Sequence, residues 1–200
     1  AFAATRWSAR VRVRPRRDRQ GWPQPHGGAQ RLGVARHRCL PAGYRLAMET
    51  QARLELIARY RLGYSAVEEA LSGIAPEALD HADADGWTPR QVVHHLADSE
   101  MTSALRLRKL VAESNPVIWG YDEGRYAKTL WYGERPIEPS LLAFRAARET
   151  TANILDRLSE ADWAKEGWHT ESGRYSIDRW LEIYAAHGHE HAAQIRQARA

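Results

Sequence analysis

The 200-residue chain carries a formal net charge of +4, but this charge is unevenly distributed. Residues 1–47 contain 11 of the 29 basic side chains and one of the 25 acidic ones, so residues 48–200 carry a net charge of −6. This balance is ordinary for a soluble surface, and the lack of a basic stripe argues against nucleic-acid binding. No apolar stretch approaches the roughly 18 residues of a membrane span, so the sequence predicts a cytoplasmic protein.

Residues 1–47 are predicted to lie outside the folded domain. They show no sustained apolar periodicity and no secretory signal, which favours a disordered arginine-rich extension such as a transit peptide or a nucleic-acid-binding arm. Met48 directly precedes the first helical pattern, so upstream codons translated from a misplaced start are the preferred interpretation. The only cysteine, Cys39, lies here, which excludes a disulfide scaffold or a cysteine nucleophile from residues 48–200.

Beyond Met48 the apolar spacing is helical almost throughout and predicts an all-α fold. The clearest start signal is a capping box, with Thr88 as N-cap, Pro89 at the first helical position and Gln91 two residues later. Long helices are predicted over Glu49–Leu71, Pro89–Ala112, Pro139–Leu158 and from about Ile177 onward, with a short helix near Glu123–Leu130. No convincing strand is predicted, and residues 167–176 are interpreted as a polar loop. Residues 48–200 should therefore form a four-helix bundle.

The last predicted helix contains three histidines, of which two share a face. His187 and His191 are four residues apart, beside Tyr184 and Ile195 on the apolar stripe, whereas His189 points away and is expected to be solvated. Two imidazoles in this spacing can bind one metal ion, although a pair of buried, hydrogen-bonded histidines gives the same pattern.

A third candidate ligand comes from the pair His94–His95 on the second predicted helix. Periodicity does not choose between them, because they flank the apolar stripe on opposite sides. Asp98 lies four residues after His94 and three after His95. It is a candidate to orient either imidazole by accepting a hydrogen bond from the second ring N–H. His169, in the predicted loop, is expected to be solvated. Three histidine ligands would leave one coordination position open, which is typical of catalytic rather than structural sites.

These motifs resemble the DinB/YfiT-like superfamily of metal-binding bundles, which includes bacillithiol- and mycothiol-dependent transferases. Residues 87–99 resemble the YfiT-like pattern around the first metal histidine, and His187, His191, Gln194 and Ile195 resemble the closing motif. Tyr121-Asp122-Glu123 resembles the segment after the second helix, whereas Glu100 and Thr102 stand where members often carry His and Asn, and Tyr126 where tryptophan is expected. The resemblance implies His95, His187 and His191 as ligands of one zinc or nickel ion, an up-down-down-up bundle and a homodimer.

Two enzymatic hypotheses and one non-catalytic hypothesis follow. In the first, the ion stabilises the thiolate of a low-molecular-weight thiol cosubstrate, which attacks a small electrophile. In the second, the ion lowers the pKa of bound water to about 7 for hydrolysis, with Asp98 and Glu190 as candidate bases. In the third, the bundle binds a metal or a small ligand without turnover. The resemblance favours thiol transfer. The aromatic-rich loop after the second helix offers candidate pocket walls, with ordinary loop packing as the alternative: Trp119, Tyr121, Tyr126 and Trp131.

Overall fold

A computed structural model describes residues 48–198, and the interpretation of residues 1–47 lies outside this range. Its long helices are α1 (Thr50–Leu71), α2 (Pro89–Ala112), α4 (Glu138–Leu155) and α6 (Ile177–Ala198). Two shorter helices are α3 (Glu123–Thr129) and α5 (Glu160–Trp163). The all-α four-helix bundle is thus confirmed, as is the capping box that begins α2. No helix in the described range is long and apolar enough to cross a membrane.

The helices form two parallel pairs, which run antiparallel to each other. Hydrogen bonds join early residues of α1 to early residues of α6 and late residues to late ones: Arg53 to Asp178, and Arg196 to Ala66. The same order joins α2 to α4: His94 to Ser140, and Arg108 to Thr151. Between α2 and α6 the order reverses: His95 contacts His187, and Trp180 contacts Ser103. These directions give an up-down-down-up bundle.

A small sheet corrects the prediction that the chain has no strand. Its strands are β1 (Val117–Ile118), β2 (Glu166–His169) and β3 (Gly173–Ser176), with β1 parallel to β2 and β2 antiparallel to β3. The burial of β2 alternates along only four residues, a pattern too short to stand out in the sequence. His169 ends β2 opposite Gly173 and is 7% exposed, so its interpretation as a solvated loop residue is wrong.

The interior of the bundle consists of two apolar clusters separated by a more polar layer. One cluster surrounds Trp180 and Leu107, and the other surrounds Phe144 and Leu96. The layer between them, called the middle layer below, comprises Gly63, Glu100, Arg148, His187 and Gly188. One of the candidate metal ligands therefore lies between the two clusters.

Candidate metal centre

The three histidines singled out from the sequence come together between α2 and α6. His95 Nε2 lies 3.3 Å from His187 Nε2, and His191 Nε2 lies 3.2 Å from the same atom. One nitrogen from each ring lies within 4.8 Å of the other two. The arrangement follows from helix geometry, because a spacing of four residues stacks His187 and His191 on one face, which packs against α2 at His95.

Burial keeps these imidazoles neutral at ordinary pH. Desolvation lowers the pKa of His95 to about 4 and that of His191 to about 4, and it lowers the pKa of His187 well below its usual value. The neighbouring imidazoles reinforce the shift at His187 and His191, because like charges oppose protonation. All three side chains therefore keep a nitrogen lone pair available for a cation.

The spacing of these nitrogens fits a metal ion. Zinc bonds of about 2.0–2.1 Å in tetrahedral geometry separate two ligand nitrogens by about 3.3 Å. The two separations that involve His187, 3.3 and 3.2 Å, correspond to this value, and the third nitrogen pair lies within 4.8 Å. Imidazole suits zinc and nickel alike, so the donor set fits either ion.

The adjacent histidine, His94, is directed away from this cluster. Its Nδ1 lies 2.7 Å from Ser140 Oγ, and its Nε2 lies 3.2 Å from the Arg135 carbonyl oxygen. Since the carbonyl only accepts, Nε2 carries the proton and Nδ1 accepts from the Ser140 hydroxyl. His94 therefore ties α2 to the segment before α4 and to the first turn of that helix.

His189 also makes a contact that its spacing did not predict. It is half-buried at the surface, and its Nε2 lies 2.9 Å from the Arg59 carbonyl oxygen on α1 in a solvent-exposed contact.

Asp98 lies close to the cluster, but its hydrogen bond goes elsewhere. The Tyr132 hydroxyl donates to Asp98 Oδ2 at 2.5 Å, and within residues 48–198 neither His94 nor His95 hydrogen-bonds to this carboxylate. Its charge still acts on His95, where it opposes the lowering of the pKa by burial.

Gln194, and not the predicted Asp98, hydrogen-bonds to the second ring nitrogen of a candidate ligand, which is His191. Its Oε1 lies 2.6 Å from His191 Nδ1, and its Nε2 donates to Asp83 Oδ2 at 2.7 Å. Gln194 stood out only as part of the closing motif. Asp83 gave no signal at all, because it lies in a loop 111 residues away and reaches α6 only through the tertiary fold.

Two of the histidines each have an aromatic neighbour. The rings of Trp87 and Tyr184 each lie edge-on to an imidazole, at 5.8 Å from His95 and from His187 respectively. Tyr184 in turn accepts a hydrogen bond from Arg106 Nη1 at 3.0 Å. Tyr184 belongs to one apolar cluster of the interior, and Trp87 packs against the other.

The four predicted wall residues differ in exposure. Trp119 and Trp131 are 70% and 62% exposed, whereas Tyr126 is 36% exposed and stacks at 4.6 Å on the half-buried Tyr121. Glu123 begins α3 near this pair and interacts electrostatically with His191. Desolvation by neighbouring protein atoms raises the pKa of the Glu123 carboxyl, although the residue as a whole is exposed. The charges of His191 and Arg106 oppose this rise.

The middle layer contains a buried ion pair. Arg148 Nη1 donates to Glu100 Oε2 at 2.5 Å, and both side chains are at most 2% exposed. The Tyr60 hydroxyl donates to the other Glu100 oxygen at 2.5 Å, and Arg148 also donates to the carbonyl oxygens of Tyr60 and Tyr184. Glu100, which departs from the expected family residue, thus joins α1, α2, α4 and α6 through Arg148.

Comparison with known proteins identifies the family. The sequence pattern of the DinB superfamily matches residues 59–195. The chain belongs to the DinB superfamily. It is 44% identical over 110 residues to a protein of Oceanobacillus iheyensis named as a candidate metal-dependent hydrolase, which covers 55% of this chain and 63% of that protein. A similarly named protein of Geobacillus thermodenitrificans is 35% identical over 150 residues, covering 72% and 83%.

The fold is also similar to a solved structure. YfiT from Bacillus subtilis, described as a probable metal-dependent hydrolase with an unusual four-helix bundle topology, superposes with a TM-score of 0.72 at 25% identity. The match covers 78% of this chain and 90% of YfiT. By contrast, the alignments to the relatives from O. iheyensis and Bacillus mycoides span less than two thirds of those proteins, 63% and 65%.

Proposed function

We propose that this member of the DinB superfamily is a metal-dependent enzyme that transfers a low-molecular-weight thiol to a small electrophile. His95, His187 and His191 would hold one divalent ion, zinc or nickel. The observation that carries the proposal is the spacing of their Nε2 atoms, 3.3 and 3.2 Å, which fits ligands of one tetrahedral ion.

The residues around the site suit an anionic nucleophile. A divalent ion held there supplies a Lewis acid that favours the deprotonated form of a bound thiol or water. The three imidazoles are neutral and add no negative charge, so the positive charge at the site attracts an anion. Desolvation of the three imidazoles, which lowers their pKa values, indicates low-dielectric surroundings that strengthen that attraction.

The domain that holds the site supplies no thiol of its own, because residues 48–200 contain no cysteine, and the proposed sulfur nucleophile is therefore a cosubstrate. Thiolate is scarce at neutral pH when the thiol pKa is about 8.5, so its stabilisation is the main contribution that this site can make. The reaction then forms a carbon–sulfur bond, and the electrophile loses its leaving group or accepts a proton.

Hydrolysis is the second candidate, and two observations favour it. Relatives from O. iheyensis and G. thermodenitrificans are named as candidate metal-dependent hydrolases. In addition, Glu123 interacts electrostatically with His191 and has a raised pKa. A carboxylate with a raised pKa at this position suits a general base that accepts a proton from water.

The test is a product analysis with and without thiol. Purified protein loaded with zinc or nickel is incubated with a generic electrophile, and the products are identified by mass spectrometry. We expect a thioether product whose formation requires both the metal and the thiol. The His191→Asn variant should form no such product, whereas the His189→Gln variant should still form it. Hydrolysis at equal rates with and without thiol would replace the transferase by the hydrolase. Absence of turnover in both would leave a non-catalytic metal-binding bundle.

A further inference from the structure

Asp83, Gln194 and His191 form a hydrogen-bonded series that runs from a loop into the candidate metal centre. Asp83 lies in the loop that precedes α2, and Gln194 lies on α6 one turn after His191. The Gln194 amide nitrogen donates to Asp83 Oδ2 at 2.7 Å, and its oxygen lies 2.6 Å from His191 Nδ1.

The order of donors and acceptors in this series is fixed by chemistry. An ionised carboxylate only accepts hydrogen bonds, so the amide nitrogen of Gln194 must face Asp83. The amide oxygen then faces His191, and because that oxygen only accepts, His191 Nδ1 must carry a proton. A neutral imidazole has one ring proton, so His191 Nε2 is left with a free lone pair.

We propose that Asp83, acting through Gln194, is a positioning residue that holds His191 in its Nδ1–H tautomer. Within the function proposed above, this tautomer directs a lone pair toward His95 and His187, where the ion would bind. The negative charge of Asp83 also polarises the amide, which makes the His191 imidazole a stronger donor to a metal.

The loop that carries Asp83 is itself held in place. Asp83 Oδ1 accepts the backbone N–H groups of Asp85 at 2.9 Å and Trp87 at 2.8 Å, and the Asp83 N–H donates to the Trp87 carbonyl oxygen at 2.8 Å. Such a side-chain turn fixes the direction of the carboxylate. The next residue, Thr88, caps α2, so the loop is anchored to the helix that supplies His95.

His191 differs in this respect from the other two imidazoles. Within residues 48–198 it is the only one of the three whose Nδ1 makes a hydrogen bond, and His187 Nδ1 is buried without a partner. Consequently, His191 is the one candidate ligand for which the loop determines which ring nitrogen is protonated.

An exchange of donor and acceptor tests the proposal. Gln194→Glu places two carboxylates face to face, and Asp83→Asn removes the charge that orients the amide. The double substitution Asp83→Asn with Gln194→Glu restores one donor facing one acceptor, and it still offers an acceptor to His191. The Oδ1 acceptor for Asp85 and Trp87 is preserved as well.

Two measurements report on the tautomer and on the ion separately. ¹⁵N chemical shifts of the imidazoles in metal-free protein identify the protonated ring nitrogen, and titration with zinc gives its affinity. We expect wild type and the double variant to show His191 as the Nδ1–H tautomer. Gln194→Leu, which offers His191 no acceptor, and Asp83→Asn, which allows the Gln194 amide to flip, should show a changed ¹⁵N pattern and a zinc affinity lower by about 10- to 100-fold.

Gln197→Leu is the matched control, because Gln197 lies on the same helix three residues later and is exposed. It should leave the tautomer and the affinity unchanged. An unchanged His191 tautomer in Gln194→Leu, or a double variant no better than Asp83→Asn, would overturn the proposal. A wild-type protein with the Nδ1–H tautomer but no zinc binding would overturn the proposed function and leave the positioning role intact.

Discussion

His94 and His95 are neighbours in sequence but make unlike contacts, which allows a direct test of the proposed ligand set. His94 uses both ring nitrogens for Ser140 and the Arg135 carbonyl oxygen, whereas His95 Nε2 faces His187. We predict that His95→Ala, His187→Ala and His191→Ala each lose the bound ion. Metal content per chain, measured by elemental analysis after gel filtration, checks this expectation.

His94→Gln and His189→Gln are the controls for that measurement, because glutamine can still hydrogen-bond at both positions. Both should retain one ion per chain, although His94→Gln should be less stable because His94 is buried. Loss of the ion from His94→Gln together with its retention in His95→Ala would contradict the assignment.

For single residues, the sequence predicts the candidate metal ligands better than it predicts their hydrogen-bond partners. A spacing of four on one face suffices to pair His187 with His191, since helix geometry is local. Periodicity alone left His94 and His95 undecided, and only the family resemblance favoured His95. The Asp83–Gln194 contact could not be predicted, because it depends on where a loop is placed by the folded bundle.

Two glycines allow α1 and α6 to approach closely in the middle layer. A Cβ atom at Gly188 would lie 2.9 Å from the Gly63 carbonyl oxygen and 3.0 Å from Gly63 Cα. Backbone atoms cannot move aside as a flexible side chain can, so we predict that Gly188→Ala lowers the free energy of unfolding by about 1–3 kcal/mol. Because Gly188 follows His187, the zinc affinity should fall as well. Chemical denaturation and zinc titration measure the two effects.

Gly124→Ala provides the comparison for this substitution. Gly124 also lies in a helix, α3, but its added Cβ would meet only Asp122 Oδ1, at 3.6 Å. Alanine is favoured over glycine in helices, so this variant should be unchanged or more stable by up to about 1 kcal/mol. Equal effects of the two substitutions would show that the close approach of α1 and α6 is unimportant.

The helices and the strands differ in how far the sequence predicts them. Helix α2 combines a capping box with long apolar periodicity, and its predicted span, Pro89–Ala112, matches the structure. The strands are only two to four residues long. Strand β1 pairs with β2 across about 50 positions, as Ile118 does with His169, and β2 pairs with β3 over only four residues. A local pattern contains little information about such pairing.

Across the whole bundle, the candidate metal centre and a buried ion pair lie next to each other. The positive charge of Arg148 further lowers the pKa of His187. Arg148 accordingly favours neutral His187, while Glu100 compensates the arginine charge. Several hydrogen bonds to Glu100 compensate the burial of this ion pair. Removal of either partner would leave an uncompensated buried charge.

The burial of several histidines makes the stability of the metal-free bundle depend on pH. The pKa values of His95, His191 and His169 are each lowered by desolvation to about 4. In the unfolded chain histidine has a pKa of about 6.5, so between these values the unfolded state binds more protons than the folded state. The free energy of unfolding should therefore fall as the pH decreases from about 6.5 to about 4, and this histidine contribution should level off at lower pH. Each histidine contributes a slope of up to about 1.4 kcal/mol per pH unit.

His169→Gln isolates one part of this dependence without touching the candidate metal ligands. His169 Nδ1 accepts the Glu171 backbone N–H at 3.2 Å, so protonation of Nδ1 would break that hydrogen bond in addition to placing a charge in a buried position. Glutamine can accept the same bond through its side-chain oxygen but does not titrate. Chemical denaturation of both proteins in the presence of a chelator, at intervals from pH 7.5 to 4, should give a shallower slope for the variant. Parallel curves would mean that His169 is protonated equally in the folded and unfolded states, contrary to its burial in β2.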